Sequence, residues 1–110
     1  MVLVERDAST AIFALTLSLE KVLPPNSSLQ VEFEDPTAPD ALFVVSGSVN
    51  EKGLLLAQSP KFEGLRNKRA YLARTKVLGA DQQVLSIHDQ WIWFNMPNEL
   101  RKFYATKIID

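Results

Sequence analysis

Cysteine is absent from the 110-residue chain, which excludes disulfides, thiolate metal sites and thiol nucleophiles. A small secreted domain stapled by disulfides is excluded for the same reason. Histidine occurs once, as His88, so a transition-metal site would rest mainly on carboxylates, a poor donor set for zinc and its neighbours. The four glycines, Gly47, Gly53, Gly64 and Gly79, form neither GxGxxG nor GxxxxGK, and the familiar phosphate cradles are missing with them. Long apolar runs are lacking too. AIFALTLSL is interrupted by Thr16 and Ser18 and is too short to span a bilayer as a helix. The opening MVLVERD has no basic flank followed by an apolar stretch and does not look like a signal peptide. These absences lead to the expectation of a cytoplasmic protein with no cofactor, no bound metal and no membrane partner.

What is present is a globular composition: 46% apolar and 23% charged residues, with a net charge of −1. One domain covering 1–110 is expected at this length. The charge is unevenly distributed, −6 over residues 1–51 and +5 over 52–110. A fold that separates the two regions would create a steering field, whereas interleaved strands would cancel it.

The hydrophobic pattern has a period of two. In STAIFALTLSLE, Ala11, Phe13, Leu15, Leu17 and Leu19 share one side, as on a half-buried strand. Pro24, Pro25 and Asn26 punctuate the chain after it. In SLQVEFEDP, Leu29, Val31 and Phe33 oppose Gln30, Glu32 and Glu34. ALFVVSGSV is predicted to be a central strand covered on both faces, and GLLLAQS a further one. SPKFEGLRNKR looks irregular. RAYLARTKVLG and VLSIHDQWIWF are predicted to form a hairpin around a loop of about four or five residues. In the tail, a short helical turn beginning near Pro97, with Asn95 as a candidate cap, leads into FYATKII as a final strand.

Six or seven strands in a chain of this length suggest an all-β, single-domain antiparallel β-sandwich. An immunoglobulin-like topology is the nearest match, with a short helical turn near the C-terminus and an open barrel as the rival.

Catalytic constellations are sparse. On a regular strand Ser86, His88 and Gln90 share a face and Asp89 lies on the other, so Asp89 cannot orient His88 as a triad requires. Glu34, Asp35 and Asp40 around DPTAPD resemble a calcium loop only in composition, since no EF-hand register is present. Arg66, Lys68 and Arg69 precede a strand bearing Arg74 and Lys76, but the chain as a whole is slightly acidic and its aromatics do not alternate with the basic residues. That argues against nucleic acid as a partner.

The stretch VLSIHDQWIWF holds both tryptophans. Pleating places Leu85, Ile87, Asp89, Trp91 and Trp93 on one face and His88, Gln90, Ile92 and Phe94 on the other, so both faces are apolar from position 91 onward. Either the tail at 100–109 covers this end, or a second molecule does. The leading expectation is a non-catalytic protein-interaction or self-association module. Trp91, Trp93 and Phe94 are its candidate contacts, and Arg74 and Lys76 form a polar rim. One alternative is a small-ligand or carbohydrate-binding domain in which the tryptophans form a platform and Asp89, Gln90 and Asn95 bond to hydroxyls. The other is an enzyme whose site forms between His88 and carboxylates such as Asp40 at a subunit interface.

Overall fold

The computed structural model describes residues 1–4, 10–19, 23–38, 40–103 and 108. Among these residues eight strands and one short helix occur in the order β1 (Val2–Val4), β2 (Ala11–Ser18), β3 (Ser28–Glu34), β4 (Leu42–Ser46), β5 (Ser48–Val49), β6 (Leu54–Gln58), β7 (Arg69–Leu78), β8 (Val84–Phe94) and α1 (Asn98–Arg101). They form two antiparallel four-stranded sheets, ordered β1-β2-β6-β5 and β4-β3-β7-β8. The chain is an all-β sandwich. Among the described residues no helix is long and apolar enough to cross a membrane.

The period-two pattern decides which side of each strand is buried. Phe13 and Leu15 of β2, Val31 and Phe33 of β3, Leu55 of β6 and Tyr71 and Ala73 of β7 all lie in the core between the sheets. The ring of Phe13 is its centre, 4.5 Å from Phe62, 5.1 Å from Tyr71 and 5.9 Å from Phe33 between centroids. Phe62 and Leu65 are also buried, so the irregular 59–68 segment contributes core side chains without belonging to a strand. It stays tied to β2: Ala11 and Phe62 exchange backbone bonds at 2.9 Å. Pro60 has no N–H to offer, and the Ser59 hydroxyl meets the local demand instead, accepting from the Phe13 N–H at 2.9 Å and donating to the Pro60 carbonyl at 2.9 Å.

Where 59–68 joins β7, the Arg66 N–H donates to the Tyr71 hydroxyl at 2.8 Å. That hydroxyl in turn faces the Arg66 carbonyl at 3.4 Å. A fully buried ring thus clips the backbone five residues upstream, the arrangement known as a tyrosine corner.

Several expectations are corrected by the structure. ALFVVSGSV is two strands, not one. Gly47 separates β4 in one sheet from β5 in the other, and a Cβ there would lie 2.5 Å from Leu55 Cδ1 and 3.3 Å from Leu29 Cβ. The chain changes sheets at the residue that can pass closest to the core. Nor is β4 covered on both faces, because Leu42 and Val44 are exposed. The helical turn is present, but no side chain caps it, so Asn95 has no such role. The proposed final strand FYATKII falls mostly outside the described residues. The β7–β8 hairpin is as expected: residues 79–83 connect its strands, with Gly79 N–H bonded to the Gln83 carbonyl at 2.8 Å.

Candidate functional site

Among the described residues β8 is the longest strand, with 11 residues, and pairs only with β7, which makes it an edge of its sheet. Its C-terminal half is anchored from one side, where Ile92 and Phe94 are buried in the core. The pleat turns their neighbours outward: Trp91 is 65% exposed and Trp93 63%. Phe94, grouped with the tryptophans from sequence, faces the opposite way and is not available to a partner on the outer surface. The tail at 100–109, the expected internal cover for this strand end, falls mostly outside the described residues.

The same outer face continues across the sheet. Trp91 lies opposite Leu72, and Asp89 opposite Arg74, which in turn pairs in register with Glu32 and then Val44. In the next row Ile87 lies opposite Lys76, followed by Gln30 and Ser46. The face therefore has apolar margins, with Leu42 and Val44 on β4 and Ile87, Trp91 and Trp93 on β8, around a charged middle.

That middle is internally neutralised. Arg74 grips Asp89 with two bonds, Nε to Oδ1 at 2.7 Å and an Nη to Oδ2 at 3.0 Å. This hydrogen bonding, reinforced by the charge of Arg74, holds the Asp89 carboxyl below its ordinary range, and the same contact raises Arg74. Lys76 Nζ stands 3.1 Å from Glu32 Oε1. Arg69 is ion-paired to Glu34 and lies over the Tyr71 ring, 4.9 Å from its centroid. The acidic β3 and basic β7 are neighbours, so part of the charge imbalance between the two parts of the sequence is offset at Arg69–Glu34 and Lys76–Glu32. Arg74 and Lys76 are on the expected face, each engaged with a carboxylate of its own sheet.

His88 lies on the inner side of β8, in register with Thr75, beyond the point where the opposing sheet covers it. Leu17, Ser18, Leu19, Leu23, Thr75, Val77, Ser86 and His88 line a cavity of about 370 Å³ at this open end. Asp89 and His88 project to opposite faces, so no triad can form between them. Glu34 and Asp35 do not assemble a calcium loop: Glu34 holds Arg69, and Asp35 Oδ1 accepts from the N–H and hydroxyl of Thr37 at 2.9 and 2.8 Å. Among the described residues no cluster of three or more His, Cys, Asp or Glu side chains could hold a metal ion.

No protein-family model matches the chain, and no curated protein matches it in sequence. Sequence reasoning missed Leu42, Val44 and Leu72 as members of the outer face, and the cavity altogether. LFVVS is apolar on both faces, so it carried no signal for Leu42 and Val44. The cavity brings together residues far apart in the chain and left no local signature.

Proposed function

We propose that this chain is a non-catalytic self-association module whose β8 pairs with β8 of a second copy. The observation that supports this most directly is the edge itself. Long, apolar edge strands are normally blunted by proline, lysine or shortness. The other three edges are short, with 3 residues in β1, 2 in β5 and 5 in β4. β8 has 11 residues and contains neither proline nor lysine.

An antiparallel two-fold arrangement is the commonest closed form of such pairing. Centred on Asp89, it sets Trp91 of each copy beside Ile87 of the other and keeps both outer faces aligned. The two Asp89 carboxylates then meet, each flanked by its own Arg74, so the row reads positive, negative, negative, positive. Backbone bonds supply affinity and the Trp–Ile contacts supply register.

Light scattering coupled to size exclusion tests this reading. The expected mass is twice 12.4 kDa for the native chain and 12.4 kDa for Ile87→Lys, which guards the edge as natural edges are guarded. A native monomer at high concentration refutes it.

An immunoglobulin-like topology is part of the same proposal. Strand order β1-β2-β6-β5 facing β4-β3-β7-β8 corresponds to A-B-E-D facing C′-C-F-G. Tyr71 near the start of β7 matches the position of the tyrosine corner in such domains. Two residues on, Ala73 stands where antibody domains carry their second cysteine.

A further inference from the structure

We infer that the open end of the sandwich, between the end of β2 and the inner faces of β7 and β8, binds a small aliphatic carboxylate. The cavity there holds about 370 Å³, at the small end of ligand pockets. Its two walls differ in chemistry. Leu17, Leu19 and Leu23 make one wall aliphatic, and Thr75, Ser86 and His88 place three polar groups on the other.

Thr75 points to a ligand independently of the cavity. Its side chain is 97% buried, at 3% relative exposure, yet its Oγ1 has no hydrogen-bond partner. Leaving a buried hydroxyl unpaired is costly, and natural interiors rarely do so without reason. Thr75 and His88 are direct cross-strand partners, so their side chains start close enough to converge on one ligand atom.

The chemistry of the lining selects the ligand class. Two hydroxyls and an imidazole can all donate, and a carboxylate offers only acceptors. Among the described residues none of those lining the cavity is acidic, so none of them offers an ammonium head a counter-charge. The tail lies along the leucines, and the head meets Thr75 at depth and Ser86 and His88 at the exposed rim, where the charge keeps part of its water. Association through β8 is not required: Ile87→Lys alters the outer face and leaves this cavity intact.

The test is an NMR titration of the ¹⁵N-labelled chain with octanoate, with 1-octanol and octylamine as matched probes. Saturable shifts centred on Leu17, Thr75, Val77, Ser86 and His88 are expected with octanoate, weaker ones with octanol, and none with octylamine. Thr75→Val keeps the side-chain shape and removes the hydroxyl, and it should weaken octanoate binding about tenfold or more, as expected for a hydrogen bond to a charged group. Ser86→Ala, at an exposed position that folding tolerates, should weaken it severalfold and gives a second reading if Thr75→Val is poorly folded. Absence of saturable shifts overturns the inference. So do shifts centred on Trp91 and Trp93, equal binding of octylamine, or undiminished binding to both variants. The Ile87→Lys monomer should still bind octanoate, which keeps the outcome separate from that of self-association.

Discussion

Removing a single oxygen, in Tyr71→Phe, tests how the 59–68 segment is held to the core. The ring stays, with its 5.1 Å contact to Phe13, so no cavity opens. The loss is the hydroxyl that accepts from the Arg66 N–H at 2.8 Å. Tyr71 is fully buried, so water cannot readily take its place. An N–H stranded in this way costs about 1–3 kcal/mol. Unfolding entropy near the midpoint is about 2.1 cal/mol/K per residue, which over 110 residues gives about 0.23 kcal/mol/K. The expected fall in Tm is therefore about 4–13 °C. Scanning calorimetry at fixed pH and protein concentration reads it directly. Arg66→Ala is the control: it keeps the N–H and carbonyl that bond to Tyr71 and removes only an exposed side chain, so its Tm should stay within about 2 °C of native. A Tyr71→Phe protein that melts within about 2 °C of native, or an Arg66→Ala protein that loses as much as Tyr71→Phe, would refute the assignment of this corner as a structural clip.

Three further outcomes are expected. Gly47→Ala drives a Cβ to 2.5 Å from Leu55 Cδ1, and Leu55 is fully buried. Overpacking of this kind costs about 1–3 kcal/mol and should lower the urea midpoint; an unchanged midpoint means that the sheets separate freely at that crossing. The Asp89 carboxyl is depressed in the fold by Arg74, so its stabilising contribution is present above its ordinary value of 3.8 and is lost as pH falls through the lower folded value. Asp89→Asn should flatten that acid limb of the stability profile, and high salt should shrink the difference; identical acid limbs would show that the pair contributes nothing. Trp91→Ala with Trp93→Ala should leave the unfolding free energy of the monomeric Ile87→Lys background within about 0.5 kcal/mol, because both indoles lie outside the core. In the native background the same double change should reduce the light-scattering mass to that of one chain.

The sandwich was legible because its strands obey one rule: residues two apart share a face. Ala11, Phe13 and Leu15, then Leu29, Val31 and Phe33, then Tyr71, Ala73 and Thr75, are the buried positions that period two identifies. β4 misled because Leu42 and Val44 are as apolar as Phe43 and Val45, so composition alone could not tell a covered face from an open one. Gly47 misled because a glycine inside an apolar run is equally compatible with a strand interruption and a change of sheet; the decision lies in Leu29 and Leu55, which meet it only in three dimensions. The same limit hid the cavity, whose walls come from Leu17, Ser18, Leu19 and Leu23 on one side and Thr75, Val77, Ser86 and His88 on the other.

The outer face could associate with a second copy in two ways, and its charges distinguish them. Stacking face on face would cover the apolar margins of β4 and β8 together. It would also trap the Arg74–Asp89 and Lys76–Glu32 pairs of both copies between two sheets. Desolvation costs several kcal/mol per ion unless every remaining bond is satisfied, and all of these charges are already paired within one copy, so stacking brings them no new partner. Edge pairing through β8 avoids that loss. It leaves Lys76 and Glu32 at the solvent surface and brings new neighbours only to the Arg74–Asp89 row. Meanwhile it satisfies backbone N–H and C=O groups that have no other role on an unpaired edge. The tryptophans then act as register markers beside Ile87 and keep their outer surfaces accessible. The charged middle of the face therefore favours edge pairing over stacking.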